Sequence, residues 1–391
     1  MSWHDLVSII SGIRRCGKSV LLHEIRKKYI DESYFINFDD NRLETFQSQD
    51  FEMLYEVFLE LYGEKENFFF DEIQLIDGWE QFVRRLHNEG KKIYITGSNS
   101  KMLSKELGTH LTGRHIQTEL FPFSFSEYLD FYEQQHHEKD RYDKKKAIAI
   151  RNYLQQYLKE GGFPEYVRLN SENILRNLYS DILYRDVIVR HNLRNEKVMK
   201  ELLHFIYSNI SKEISYSSLS KMLGVSNPAT IKDYVSYFED SYLLFSINKF
   251  DYSLKKQILN PKKIYAIDTG LADSISFRFS EDIGRQLENV VFLSLRRQFQ
   301  EIYYHKNNKT HKECDFLIKE KERITQAIQV CYSMTEQSTR EREIEGLLDA
   351  MNSYNLNNGL ILTFEENEEL LIDGKKIEVL PITDWLLGFG A

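Results

Sequence analysis

One segment near the start of the chain, GIRRCGKS at residues 12–19, constrains the fold more than any other. It follows the pattern GxxxxGK[ST] and lies between a short apolar run rich in β-branched residues and a helical pattern that begins at Lys18. Glycines in such a loop allow backbone N–H groups to wrap a polyphosphate, and the helix N-terminus adds a favourable dipole. We therefore expect Lys18 to contact the β- and γ-phosphates of a nucleotide and Ser19 to ligate Mg²⁺. The predicted nucleotide-binding residues are Gly12, Ile13, Arg14, Arg15, Cys16, Gly17, Lys18, Ser19 and Val20.

Strand-like apolar runs alternate with helical patterns through the first third of the chain. Buried strands are predicted at residues 6–10, 34–38, 68–70 and 92–96. Alternation of this kind predicts an α/β fold in which helices cover a parallel sheet. The chain has 391 residues, and at roughly 100–200 residues per domain it should contain roughly two to four domains.

Two adjacent carboxylates, Asp71 and Glu72, follow the apolar run NFFF and predict the acidic partner of the phosphate loop. Asp71 is expected to hold Mg²⁺ through its water shell, and Glu72 to orient or deprotonate the water that attacks the γ-phosphate. The next strand ends in ITGSNS, where Ser98, or as second choice Asn99, is expected to sense the γ-phosphate; a helix cap or turn explains these two residues equally well. Arg114, near a predicted turn, is a candidate for an arginine that stabilises charge on the transferred phosphoryl group in its own or a neighbouring subunit, with an ordinary surface arginine as the alternative.

The composition is that of a packed globular protein, with 42% hydrophobic and 28% charged residues. The 51 basic and 60 acidic residues give a net charge of −9, which excludes a basic field over the whole molecule but not a local basic patch. The sequence contains no apolar run of about 18 residues and no secretory signal pattern. Its three cysteines are too scattered for a disulfide framework or a CxxC metal site. The expected location is the cytoplasm, with no membrane partner.

Several motifs together resemble a known family. GIRRCGKS, FFFDE, ITGSNS and LTGRHIQTELFPFSFSEYL are similar to the AAA-type P-loop ATPases of bacteria and archaea that carry an uncharacterised C-terminal domain of the DUF4143 type. The GGFPE turn at residues 161–165, the Arg185-Asp186 step and the DTGL motif at residues 268–271 fit the same resemblance. The resemblance implies an additional-strand P-loop sheet of the AAA+/ASCE type, with ATP and Mg²⁺ as its ligands. The sequence has no NKxD guanine motif, which also favours ATP over GTP.

The organisation predicted from these patterns has four segments: a P-loop ATPase core at residues 1–124, a helical subdomain at 125–195, a winged helix at 196–273 and a nuclease-like α/β domain at 282–391.

The winged-helix interpretation depends on two helical patterns around the turn GVSNP and on the strand-like runs after them. Between residues 196 and 263, ten Lys and Arg against seven Asp and Glu give a local net charge of +3. The presumed recognition helix is nevertheless mixed, since it offers Thr230, Lys232 and Tyr237 but also Asp233, Glu239 and Asp240. A segment that binds DNA and one that packs against protein are therefore both compatible with the sequence.

The last segment resembles the PD-(D/E)xK nucleases, in which carboxylates hold Mg²⁺ and a lysine helps to activate water. Glu288 and Asp315 occupy acidic positions, but Gln329 stands at the second acid position and Cys331 at the lysine position. A thiol cannot replace an ammonium beside a scissile phosphate, and a neutral amide weakens a metal site. We expect a degenerate site that binds or scaffolds rather than cleaves, unless a lysine such as Lys319 reaches in from elsewhere.

These features predict a cytoplasmic ATPase that hydrolyses Mg·ATP slowly and couples its nucleotide state to a DNA or protein partner. One alternative is a nucleotide-gated, DNA-binding regulator with negligible turnover, and another is an ATP-dependent nuclease. The sequence leaves open whether the protein forms an oligomer and in which subunit Arg114 would act.

Overall fold

The computed structural model describes residues 6–99, 113–276 and 282–389. The chain divides into two compact units. The first comprises Met1–Pro122, Asp181–Val187 and Tyr237–Leu243, and the second comprises Phe123–Ser180, Ile188–Ser236 and Leu244–Ala391. Each unit contains a β-sheet of its own.

The sheet of the first unit has five strands: β1 (Val7–Gly12), β2 (Ser33–Asn37), β3 (Asn67–Asp71), β4 (Lys92–Gly97) and β5 (His115–Leu120). Their order is β2-β3-β4-β1-β5, and all neighbouring strands are parallel. This confirms the predicted α/β fold with a parallel sheet. Because β4 lies between β1 and β3, the strand before the phosphate loop and the strand that ends in Asp71 are not neighbours.

Helices cover both faces of this sheet, namely α1 (Lys18–Arg26), α2 (Phe51–Tyr62) and α3 (Trp79–Asn88). Side chains of a strand alternate between the two faces, so Phe68 and Phe70 pack with α2 and α3 while Phe69 packs with Leu22 of α1. All three phenylalanines are fully buried. This explains why β3 is a continuous apolar run rather than an alternating one.

The remaining helices fill the middle and the end of the chain. They are α4 (Phe125–Phe131), α5 (Lys144–Glu160), α6 (Pro164–Leu169), α7 (Glu172–Asp181), a π-helix (Ile182–Val189), α8 (Glu196–Ser208), α9 (Tyr216–Met222), α10 (Pro228–Asp240), α11 (Leu254–Leu259), α12 (Thr269–Ile275), α13 (Ile283–Gln298), α14 (Gln337–Ser353) and α15 (Ile382–Leu386). Short 3₁₀ turns occur at Lys27–Glu32, Asn41–Leu43, Ser48–Asp50, Ile73–Leu75 and Glu138–Tyr142.

The sheet of the second unit has nine strands. They are β6 (Glu213–Ile214), β7 (Leu244–Lys249), β8 (Lys262–Ala266), β9 (Ile302–Lys306), β10 (Glu313–Glu320), β11 (Arg323–Val330), β12 (Asn358–Thr363), β13 (Glu368–Ile372) and β14 (Lys375–Pro381). The order is β13-β14-β12-β11-β10-β9-β7-β8-β6. The β7–β9, β11–β12 and β12–β14 pairs are parallel and the others are antiparallel. Strands from the predicted winged-helix segment and from the final segment thus belong to one sheet.

Two helices pack on this sheet and supply its core. Leu347 and Met351 of α14 are buried in one cluster with Leu317 and Ile361 of the sheet. Phe292 of α13 stacks on Tyr265 of β8 with 4.3 Å between the ring centroids. Within residues 6–99, 113–276 and 282–389, no helix combines the length and apolar character needed to cross a membrane.

Candidate nucleotide site and a buried carboxylate cluster

The predicted phosphate loop lies at the carboxyl edge of the first sheet, between the end of β1 and the first turn of α1. Gly12 and Gly17 have φ values of +148° and +108°, which side-chain-bearing residues rarely adopt. A Cβ on Gly12 would also lie 2.1 Å from the carbonyl oxygen of Leu120 on the neighbouring strand β5. The loop therefore requires glycine at this position for backbone conformation and for close packing against β5. Val20, at the other end of the predicted set, is 65% exposed.

Ser19 and Asp71 are adjacent, as the sequence predicts for two residues that share a metal ion. Ser19 Oγ donates to Asp71 Oδ1 at 3.1 Å, and Thr96 Oγ1 at the end of β4 donates to the same oxygen at 2.5 Å. Burial raises the pKa of Asp71, although the hydrogen bonds from Thr96 and Ser19 act in the opposite direction. Sequence reasoning missed Thr96, which lies two residues before the predicted sensor Ser98 in the same ITGSNS motif.

Lys18 and Glu72 form the second pair of this site. Lys18 is 4% exposed; its Nζ donates to the carbonyl oxygen of Ile13 at 3.0 Å and lies 3.6 Å from Glu72 Oε1. Gln74 Nε2 donates to Glu72 Oε2 at 2.5 Å, and the backbone N–H of Glu72 donates to Thr96 Oγ1 at 2.9 Å. These contacts fix both the backbone and the carboxylate of Glu72 near the lysine. Gln74 lies two residues after Glu72, and this short spacing was the signal that could have identified it.

Ser98 and Asn99 directly follow β4, between the phosphate-loop strand and the Asp71 strand. Both are 2% exposed. In the described part of the chain, the Oγ of Ser98 has no hydrogen-bond partner. A buried hydroxyl without a partner is costly, so Ser98 is the better placed of the two to bind an additional group at this edge of the sheet.

Arg114 does not join this group. β5 runs parallel to β1 with His115 opposite Val7 and Leu120 opposite Gly12. Arg114 therefore lies at the amino edge of the sheet, about 17 Å of strand away from the phosphate loop, where its Nη1 donates to Asn88 Oδ1 at 2.9 Å. The role of Arg114 towards a phosphoryl group, in its own or in a neighbouring subunit, stays a prediction.

The Arg185-Asp186 step lies on the π-helix and contacts the phosphate loop within the first unit. Arg14 Nε and Nη2 each donate to a carboxylate oxygen of Asp186 at 3.0 Å, and Arg14 Nη1 lies 3.9 Å from Asp39 after β2. Arg185 Nη2 donates to Asp39 Oδ1 at 3.2 Å. Burial alone would lower the pKa of Arg14, but the hydrogen bonds and charge of Asp186 outweigh this effect and raise it. The four charges alternate in sign and tie three segments together at the carboxyl edge.

The GGFPE motif (residues 161–165) and the DTGL motif (residues 268–271) contact each other in the second unit, and we call this contact the clasp. Asp268 accepts hydrogen bonds from the backbone N–H of Gly162 at 2.6 Å and of Leu271 at 2.8 Å. A Cβ on Gly161 would lie 2.1 Å from Asp268 Oδ1, and a Cβ on Gly270 would lie 2.0 Å from the carbonyl oxygen of Glu160. The two motifs thus use small residues to bring two backbones into contact. Burial raises the pKa of Asp268 to about 6, although the backbone N–H donors act to lower it.

The predicted nuclease-like residues lie in a second polar cluster, and the structure adds a lysine to it. Glu288 on α13 and Asp315 on β10 both contact Nζ of Lys263 on β8, at 3.1 Å and 2.8 Å. Burial alone would lower the pKa of Lys263, but the charges of Asp315 and Glu288 outweigh this effect and raise it well above its ordinary value. Burial and the charge of Asp315 raise the pKa of Glu288 to about 8.

Gln329, Cys331 and Lys319 differ from what a nuclease site would need. The Oε1 of Gln329 accepts from the backbone N–H of Asp315 at 3.1 Å, and its Nε2 donates to Glu343. Cys331 is buried, and burial raises the pKa of its thiol. Lys319 pairs with Glu301 at 2.7 Å, so the alternative in which Lys319 reaches into the acidic site is not what the structure places there. The lysine that contacts the predicted acids comes from β8 instead.

Three known domain families match the chain in succession. An AAA domain family matches residues 4–129, a domain of unknown function (DUF8612) matches residues 151–282 and a second domain of unknown function (DUF4143) matches residues 283–385. The parallel sheet, the phosphate loop and the first of these matches define the N-terminal region as a P-loop domain of the AAA type.

Relatives extend over almost the whole chain. The uncharacterized protein MJ1544 of Methanocaldococcus jannaschii is 37% identical over 402 residues, which cover 98% of this chain and 88% of the archaeal protein. The chain therefore belongs to the family of this archaeal protein. An uncharacterized protein of Haemophilus influenzae is 29% identical over 399 residues, which cover 98% of this chain and 94% of the bacterial protein. A solved structure of a Thermotoga maritima RuvB variant aligns with a TM-score of 0.31 at 15% identity, and the alignment covers 61% of this chain and 81% of that chain.

Proposed function

We propose that this protein is a Mg²⁺-dependent ATPase. One observation carries the proposal: Lys18, Ser19, Asp71 and Glu72 meet at the carboxyl edge of one parallel sheet, with Ser19 3.1 Å from Asp71 and Lys18 3.6 Å from Glu72. A serine hydroxyl and a carboxylate are hard oxygen ligands of the kind that Mg²⁺ takes together with nucleotide phosphates. The match of residues 4–129 to an AAA domain family supports the same proposal.

Each of these residues has a separate role in the proposed reaction. Lys18 neutralises charge on the β- and γ-phosphates, and Ser19 and Asp71 would hold Mg²⁺, which would supply further positive charge to the phosphates. Glu72 orients or deprotonates the attacking water, and Ser98 contacts the γ-phosphate. Lys18 Nζ lies 3.6 Å from Glu72 Oε1 and donates a hydrogen bond to the carbonyl oxygen of Ile13, which places the ammonium group beside the proposed base.

Two substitutions test these roles separately. Lys18→Ala should abolish nucleotide binding, measured with a fluorescent ATP analogue, because the phosphates lose their principal cation. Glu72→Gln should bind the analogue as the wild type does and release phosphate at least about 100-fold more slowly, since its amide cannot accept the proton of the attacking water. A Lys18→Ala protein that hydrolyses ATP at the wild-type rate would rule out the proposed site.

The partner of this ATPase activity is the second part of the proposal. The chain order α8, β6, α9, α10, β7 and β8, with β8 paired to both β6 and β7, supports a winged-helix interpretation of this segment. On α10, however, Lys232 and Asp233 are adjacent and both exposed, so their charges offset each other. We therefore favour a protein partner over sequence-specific binding of DNA.

Phosphate release measured with double-stranded DNA, single-stranded DNA and RNA distinguishes these partners, with Glu72→Gln as the blank. An unchanged rate with all three nucleic acids is the expected result. The control is Lys197→Glu, which changes another exposed lysine on a helix. If one nucleic acid stimulates phosphate release, and this stimulation disappears in Lys232→Glu but not in Lys197→Glu, the preference for a protein partner is contradicted.

A further inference from the structure

The ammonium group of Lys263 lies inside a cluster of carboxylates in the second unit. Its Nζ is 2.7 Å from Glu313 Oε1, 2.8 Å from Asp315 Oδ1 and 3.1 Å from Glu288 Oε1. The lysine side chain is 3% exposed. Tyr265 Oη also donates to Glu288 Oε1 at 2.8 Å. A lysine is almost never buried to this extent unless it is paired, and here three carboxylates pair with it.

Three carboxylate groups that converge on one cation are of the same chemical type as the oxygen ligands that a divalent metal ion prefers. The observed contacts are hydrogen bonds, longer than the roughly 2.0–2.1 Å of Mg²⁺–oxygen bonds or the roughly 2.3–2.6 Å of Ca²⁺–oxygen bonds. Within residues 6–99, 113–276 and 282–389, no three His, Cys, Asp or Glu side chains are arranged so that they could hold a metal. The cluster is thus spaced for an ammonium group.

We propose that Lys263 is a built-in replacement for a divalent cation, which closes the cluster of Glu288, Glu313 and Asp315 to metal in the native protein. In this proposal the acidic residues of a nuclease-like site are retained, and the ammonium group of Lys263 offsets their negative charge.

Lys263 is not available as a catalytic lysine in this arrangement. An ammonium group has three N–H donors, and Lys263 has three carboxylate partners, so no donor is left for a substrate phosphate. An open cavity of about 680 Å³ is lined by Glu288 and Asp315 and also by Glu341, Glu343 and Glu345, against Lys312 and Arg342. An excess of carboxylates around such a cavity repels a phosphodiester when no metal ion is present.

Gln329 supports the same conclusion from the neighbouring strand. Its amide accepts from the backbone N–H of Asp315 and donates to Glu343, so both ends of the side chain are engaged. A glutamate at this position could not donate to Glu343 and would add a negative charge beside Asp315. The neutral amide and the internal ammonium together keep the cluster stable without a metal ion.

The test is Mn²⁺ binding to the full chain without nucleotide, followed by electron paramagnetic resonance. All proteins carry Asp71→Asn, which removes the predicted nucleotide-site ligand. Lys263→Met should bind one more Mn²⁺ per chain than the parent protein does. The affinity of this additional site should be at least about tenfold higher than that of any residual site. Adding Asp315→Asn to Lys263→Met should abolish the additional Mn²⁺ binding. Lys306→Met is the matched control, because Lys306 contacts Glu313 at 3.2 Å but is 28% exposed. It should bind Mn²⁺ as the parent does.

Two results would overturn the proposal. One is a folded Lys263→Met protein that gains no Mn²⁺. The other is Mn²⁺ binding by the parent protein that disappears with Asp315→Asn, which would show that metal displaces the lysine. If Lys263→Met does not fold, Mn²⁺ binding is compared between the parent protein and the parent with Asp315→Asn. Equal Mn²⁺ binding by these two proteins would support a cluster that is closed to metal. No nucleotide is used, so the outcome is independent of the proposed ATPase activity.

Discussion

Asp186→Asn tests whether the π-helix stabilises the phosphate loop. Asp186 accepts two hydrogen bonds of 3.0 Å from the guanidinium group of Arg14. The two side chains are 16% and 4% exposed, so solvent screens the pair only weakly. The substitution keeps the shape of the side chain but removes its charge. Arg14 is then left with Asp39, 3.9 Å from its Nη1, as a more distant carboxylate.

The expected loss of unfolding free energy is about 2–3 kcal/mol. Removing one partner of a buried ion pair costs about 3–5 kcal/mol, but the amide of Asn keeps one acceptor and Arg14 is partly exposed, which lowers this figure. Asp181→Asn is the matched control, because Arg15 and Asp181 are 3.3 Å apart and are 39% and 40% exposed. An exposed pair of this kind contributes about 0–1 kcal/mol.

The assay is urea unfolding followed by tryptophan fluorescence, to which the buried Trp79 of the first unit contributes. Asp186→Asn should lower the urea midpoint clearly more than Asp181→Asn does, with unchanged slopes. Mg·ATP should then raise the melting temperature of Asp186→Asn more than that of the wild type, because the freed Arg14 is available to phosphates. Equal urea midpoints for the two variants would refute the argument that burial makes the Arg14 pair the stronger one.

Three further predictions concern the clasp and the predicted sensor. Gly270→Ala should lower the unfolding free energy by about 3 kcal/mol or more, because its Cβ would lie 2.0 Å from the carbonyl oxygen of Glu160, whereas Gly284→Ala, with its nearest atom at 3.7 Å, should not. Because burial raises the pKa of Asp268 to about 6, the folded protein takes up a proton before the unfolded chain does. Urea unfolding should therefore show that the wild type gains unfolding free energy relative to Asp268→Asn as the pH falls from about 7 to about 4, and that this gain is lost as the pH rises through 6. A difference in unfolding free energy that does not change with pH would contradict this prediction. Ser98→Ala should slow phosphate release about tenfold or more without lowering thermal stability, and an unchanged rate would remove Ser98 from the site.

The parallel sheet could be predicted because its strands have a strong local signal. The run Phe68 to Phe70 is apolar on both faces, and glycine, lysine and serine at fixed positions follow β1. β5 lacks such a signal, since its residues HIQTEL are half-buried or exposed and include polar side chains on both faces. The sequence motif therefore indicated a turn near Arg114. It did not indicate that β5 begins just after this residue, at the amino edge of the sheet and far from the phosphate loop.

The contact between Arg14 and Asp186 could not be predicted, because 172 positions separate the two residues. The Arg185-Asp186 step was visible as a motif, and so were the GGFPE and DTGL motifs. Their partners were not visible, because no spacing rule connects residues of different segments. A motif read from a single sequence identifies residues of special chemistry, and the tertiary fold decides which other residues they contact.

The position of Lys263 follows from the shape of the second sheet. β7 and β9 lie between β8 and β10 in the strand order, so in a flat sheet β8 and β10 would be about 14 Å apart. Lys263 nevertheless contacts Asp315 at 2.8 Å, a contact that is not expected of a flat sheet but is compatible with the twist of ordinary sheets. The pairing of β10 with β9 is irregular between Cys314 and Leu317, at the position of Asp315 itself, and such irregularities increase local twist. The residues along β10 and β11 therefore do not indicate Lys263, because its contact with the acids depends on the arrangement of the complete sheet.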